Sequence, residues 1–108
     1  MPEVRGTGHG IRAWGLMMPG KRYPPLRAGQ DLKIVWRVTG SGPLRLTASD
    51  PGGRERAVVW GPEKHGGSSF RRPGEEWGSG YRLDEPGCWR LRLARDTGAA
   101  DVWLRVAA

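Results

Sequence analysis

The nine residues Asp31–Thr39, DLKIVWRVT, constrain this chain more than any other stretch. Leu32, Ile34, Trp36 and Val38 alternate strictly with Lys33, Val35, Arg37 and Thr39. Successive side chains of a strand point to opposite faces, so this period of two gathers one apolar row that must be buried against a second layer. The rhythm recurs in Leu44, Leu46 and Ala48 against Arg45 and Thr47, in Trp89, Leu91 and Leu93 against Arg90 and Arg92, and in Val102, Leu104 and Val106 against Trp103 and Arg105. Gly40-Ser41-Gly42-Pro43, Asp50-Pro51-Gly52-Gly53 and Asp84-Glu85-Pro86-Gly87 punctuate these runs as turns. With 18 Gly and 9 Pro in 108 residues, short strands are favoured over helices that need uninterrupted propensity. The expectation is an all-β, antiparallel sandwich of about seven strands.

The remaining strands are read with less regular alternation. Ile11–Met18 is expected as the first, burying Trp14, Leu16 and Met18, and Glu55–Trp60 as the return arm of a hairpin. Trp77–Leu83 is expected to share Trp77, Ser79, Tyr81 and Leu83 on one face. Residues 1–10 have three glycines and no apolar period, and are expected as a flexible lead-in to a single domain over 11–108. Gly61–Gly74 carries only Phe70 as a large apolar group and reads as one long loop.

The 18 Lys and Arg outnumber the 11 Asp and Glu, a formal net charge of +7 that permits an anionic partner without naming one. Only Lys21, Lys33 and Lys64 are lysines; the other cations are the forked arginines. Cys88 is the single cysteine, so an intrachain disulfide is excluded. No apolar run reaches transmembrane length.

Catalytic and metal chemistry find little support. A nucleophile would have to be Ser68 or Ser69 beside His65 with Asp84 as the acid, and no sharp elbow exposes either serine. Glu75 and Glu76 are adjacent and point oppositely on an extended chain, unlike a carboxylate pair flanking one bond. His9, His65, Cys88, Met17 and Met18 could suit a soft metal by type but not by spacing. The glycine-rich run His65–Ser69 has no helix after it to cradle phosphate. The reading is therefore of a protein that is not an enzyme and needs no cofactor or metal.

The run from Tyr81 to Leu93, a strand ending in Leu83-Asp84-Glu85-Pro86-Gly87 and followed by aromatic-x-Leu-x-Leu, resembles the penultimate strand pair of bacterial immunoglobulin-like sandwich domains. Trp89 stands where many such domains carry the aromatic of the corner motif, and Leu91 where antibody domains carry a cysteine. The block WGPEKHGG…RPGEEWGSGY…EPGCW also resembles small, uncharacterised bacterial proteins that are secreted or lipid-anchored. The likeness covers about the C-terminal half and implies an extracytoplasmic location, with a cytoplasmic one as the alternative. Trp36 is expected to supply the central bulk that a disulfide would otherwise cross-link.

Binding is the richest possibility. Trp60, His65, Phe70, Arg71, Arg72, Glu75, Glu76, Trp77 and Tyr81 mix flat rings with forked donors and acceptors around the long loop. They are expected either to recognise a protein or cell-surface polymer or to fold the loop back as a packed cap. Two alternatives stay open. The loop could be offered to a protease by an inhibitor, with Arg71-Arg72-Pro73 presented, or an Arg-rich sheet face of Arg45, Arg90, Arg92, Trp103 and Arg105 could bind nucleic acid or another anionic polymer. The chain is expected as a monomer or weak homo-oligomer.

Overall fold

The computed structural model describes residues 1–108. Its strands are β1 (Glu3–Arg5), β2 (Thr7–His9), β3 (Ala13–Met18), β4 (Leu26–Arg27), β5 (Asp31–Val38), β6 (Arg45–Ser49), β7 (Glu55–Arg56), β8 (Trp60–His65), β9 (Glu75–Arg82), β10 (Gly87–Arg95) and β11 (Gly98–Ala107). They form two sheets in the orders β1-β3-β5-β9-β8 and β2-β11-β10-β6-β7, with β4 lying parallel to the end of β11. All other pairings are antiparallel. The fold is the expected all-β sandwich.

Its core is one cluster in which Leu32, Ile34, Trp36 and Val38 of β5 meet Trp89, Leu91 and Leu93 of β10 and Val102, Leu104 and Val106 of β11. The alternation in those three segments therefore gives the inward faces directly. Trp36 is fully buried, and its Nε1 donates to Ser79 Oγ at 2.9 Å and to Tyr81 Oη at 3.2 Å; Ser79 Oγ in turn donates to the Ile34 carbonyl. A buried indole N–H left without a partner would cost about 1–3 kcal/mol, and this small network, by supplying partners, fixes the ring in one orientation. Burial pushes the Tyr81 hydroxyl up to about 12.

One end of the sandwich is closed by Arg95, which is buried against the Trp77 ring 4.8 Å away. Its guanidinium donates to the carbonyls of Gly42 and Val38 and to Glu75 Oε1, so the charge is fully engaged where the two sheets part.

Four expectations need correction. Residues 1–10 are not a lead-in outside the domain: β1 pairs with β3 and β2 with β11. Backbone pairing needs no apolar period, which is why the sequence did not reveal these edges. On β3 the inward residues are Ala13, Gly15 and Met17, not Trp14, Leu16 and Met18. A methyl group at Gly15 would lie 2.5 Å from the Trp36 ring, so only a strand showing small side chains fits above that indole. The Glu55–Trp60 arm is split, Glu55–Arg56 remaining in the second sheet while Trp60 begins β8 in the first. The long loop accordingly shrinks, because β8 continues past a break in register at Gly61 and Pro62 to pair Glu63, Lys64 and His65 with β9, and 66–74 stays irregular.

Candidate functional site

The outer face of the first sheet, away from the core, holds the unexpected arrangement. One row of directly paired residues crosses all five strands: Arg5 on β1, Trp14 on β3, Arg37 on β5, Glu76 on β9 and His65 on β8. The segment 66–74 lies over this row as a strap. Ser68 donates to Glu76 Oε1 at 2.8 Å, Arg37 donates to the Gly74 carbonyl at 2.8 Å, and Arg72 forks onto Glu3 at 2.8 and 2.5 Å. Glu76 is 2% exposed, with Arg37 Nε 3.2 Å from Oε1 and His65 Nδ1 2.7 Å from Oε2. Neither of those two approaches is aligned as a hydrogen bond; the Arg37 guanidinium meets Glu76 as a charge contact. Arg72, through its hydrogen bond to Glu3, holds that carboxyl below its usual range.

Beside the strap, β8 lays Trp60 flat on β9. Gly78 and Gly80 alternate outward, opposite Trp77, Ser79 and Tyr81, and leave a smooth floor. A methyl group at Gly80 would lie 2.0 Å from Trp60 Nε1, and one at Gly78 would lie 3.3 Å from the far end of the same ring. The opposite ring face looks outward, Trp60 being 37% exposed. Next to it Met18, Lys33, Val59, Asp31 and Arg82 surround a shallow depression of about 430 Å³ floored by Gly80. Arg82 pairs with Asp31 at the rim while Lys33 makes no ion pair. The depression combines an apolar ring and floor with hydrogen-bonding groups at its margin, the composition of a ligand subsite.

Of the nine residues expected around the loop, the structure keeps Trp60, His65, Phe70, Arg71 and Arg72 at or near the surface. Trp77 and Tyr81 are core residues, 5% and 2% exposed, because their phase on β9 is inward. Glu76 is buried beneath the strap. Glu75 is turned to Lys64 and Arg95, and those hydrogen bonds, Lys64 first, hold its carboxyl below the usual range. The nine do not make one surface.

Arg45, Arg90, Arg92, Trp103 and Arg105 do lie on one face of the second sheet, since Arg90 pairs directly with Trp103 and Arg92 with Asp101. Much of that charge is already met: Arg92 forks onto Asp101 at 2.9 and 3.0 Å, Arg90 is 4.0 Å from the same carboxylate, and Arg45 is 3.4 Å from Asp96. Cys88 is exposed on this face opposite Arg105.

Ser68 contacts the acid Glu76 rather than a histidine, so the Ser-His-acid relay expected of a hydrolase is not assembled there. His9 and Cys88 belong to the second sheet, His65 to the first, and Met17 is in the core while Met18 lines the outer depression. No three His, Cys, Asp or Glu side chains converge as metal ligands. No helix is long and apolar enough to cross a membrane.

No family model, curated protein or solved structure matches this chain. The site therefore rests on its own geometry. The sequence signal for it is the alternation Gly78-x-Gly80 on the solvent phase of a strand, which invites a neighbouring ring to lie down on the gap.

Proposed function

We propose that this chain is a non-catalytic, extracytoplasmic binding module of immunoglobulin-like topology that recognises a cell-surface polymer at the Trp60 depression. The strand order supports the topology. With β3, β5, β6, β8, β9, β10 and β11 taken as strands A to G, one sheet reads A-B-E-D and the other G-F-C, with β7 as the added C′ strand. Trp89 Nε1 donates to the Glu85 carbonyl at 2.8 Å, a tie between the start of strand F and the preceding corner like that of the corner tyrosine in such domains. The extracytoplasmic location rests on the resemblance of the C-terminal block alone.

The observation that carries the binding reading is the Trp60 indole supported on Gly78 and Gly80 with one face free. A flat ring backed by a sheet gives a rigid stacking platform for the C–H face of a sugar, and Asp31, Arg82 and Lys33 stand where hydroxyls need partners. A polysaccharide suits this open, shallow site better than a protein, which would need a broad complementary surface. Titration of the full chain with cell-wall oligosaccharides, followed by NMR at the Trp60 indole, tests the reading. Binding that disappears in Trp60→Ala supports it; equal binding by that variant, or none by the wild type, overturns it.

A further inference from the structure

A second site emerges from where the positive charge is left unpaired. Nine of the 18 Lys and Arg side chains make ion pairs. Among the rest, Arg5 and Arg12 are brought to one place, the Trp14 ring on the outer face of the first sheet. Their guanidinium carbons lie 5.7 and 5.5 Å from its centroid, and Arg72 reaches the same ring at 5.8 Å. Three arginines thus converge from three elements: Arg5 sits on β1 directly opposite Trp14, Arg12 precedes β3 by one residue and shares Trp14's phase, and Arg72 descends from the strap. Glu3, held by Arg72, is the one carboxylate paired into the group. Arg71, exposed and without an ion pair, follows on the strap.

We propose that the Arg5, Arg12 and Arg72 cluster around Trp14 is a binding site for a tetrahedral oxyanion, a phosphate or sulfate ester group. Three guanidiniums gathered on one ring repel one another, and the ring offsets the repulsion only in part. An oxyanion drawn to the exposed Arg5 and Arg12 relieves it, each planar fork being suited to two oxygens at a time. The Arg12 amide donates to Thr39 Oγ1 and the Thr39 amide to the Arg12 carbonyl, which fixes the backbone from which the Arg12 side chain extends. Trp14 is only 6% exposed, so it orients the arginines and offers no face for a base to stack on. The Arg-rich face of the second sheet serves less well, because an anion there competes with Asp101 and Asp96 for Arg92, Arg90 and Arg45.

The test is an NMR titration of the full chain at low ionic strength with inorganic phosphate and, separately, inorganic sulfate, following the Trp14 indole and arginine side-chain resonances. Saturable shifts at these groups are expected with at least one ion, and the tighter of the two identifies the ester. The exposed pair Arg5→Ala and Arg12→Ala together weaken binding by about tenfold or more, as expected for losing two charge-assisted forks. Arg54→Ala with Arg105→Ala removes the same formal charge elsewhere and changes affinity by less than about twofold. Absence of saturable shifts with both ions, or equal losses in the two double variants, overturns the proposal. Trp60→Ala leaves oxyanion binding intact, so this site and the polymer depression fail or stand separately.

Discussion

Trp36 and Ser79 face each other inside the core, the indole Nε1 donating to the hydroxyl at 2.9 Å between neighbouring strands β5 and β9. Tyr81 Oη is a second acceptor at 3.2 Å. Ser79→Ala leaves the indole with the longer bond alone and lowers stability by about 1–2 kcal/mol, a fall in Tm of roughly 5–10 °C. Because the two acceptors share one donor, Ser79→Ala and Tyr81→Phe combined cost more than their separate effects by about 1 kcal/mol. Thermal melts of the three variants and the wild type measure this coupling; strict additivity would show that the network does not act as a unit.

Two glycines carry indoles, with different consequences. Alanine at Gly15 drives into Trp36, whose ring is pinned by hydrogen bonds in a closed core, and is expected to cost about 1–3 kcal/mol. Alanine at Gly80 meets Trp60, which is partly exposed and can swing into solvent, so stability changes by less than about 1 kcal/mol. Tryptophan emission should shift to the red in Gly80→Ala and polymer binding should fall with it. Denaturant midpoints and emission spectra separate the two outcomes.

The strap depends on a buried carboxylate. Glu76→Ala removes the acceptor for Ser68 and leaves Arg37 facing a void, with an expected loss of about 3 kcal/mol. Native-state trypsin digestion should then cut faster after Arg71, while Glu76→Gln, which keeps the shape and the Ser68 bond, lies between. Unchanged cleavage in Glu76→Ala would mean that the fork of Arg72 on Glu3 holds the strap by itself.

Acid should unfold the protein through a defined set of carboxylates. Hydrogen bonds from Arg72 to Glu3, from Lys64 and Arg95 to Glu75 and from Arg92 to Asp101 lower these three. Burial opposes the same shift at Asp50, but the Arg54 amide, Arg56 and the Gly52 amide outweigh it. Below about pH 4 the unfolded chain binds these protons while the folded chain resists them, so stability present at neutral pH is lost as pH falls through the depressed folded values. At the other extreme, the raised Tyr81 hydroxyl supports stability that is lost as pH climbs from about 10 toward about 12. Urea midpoints across pH measure both limbs, and Asp101→Asn should flatten the acid one.

Much of the fold could be read from particular residues. Strict alternation at 32–38, 89–93 and 102–106 set which side chains face inward, because a buried strand face tolerates few polar groups and a shift by one residue would expose the whole row. The same rule already placed Trp77, Ser79 and Tyr81 on one face, and that phase, not their nearness to a loop, decides that two of the proposed binding rings are core. Where side chains are mixed, as in Ala13–Met18, phase was ambiguous, and the Trp36 ring above Gly15 resolved it.

The sequence by itself determined the class, the turns and most of the core, since these follow from local chemistry and a period of two. Only the tertiary structure decided the sites. Arg72 is far along the chain from Arg5 and Trp14, and Trp60 meets Gly80 across a strand pair, so their proximity depends on which strands neighbour one another and in what register. That pairing is set by the packing of the whole core, through long-range contacts that no local pattern encodes.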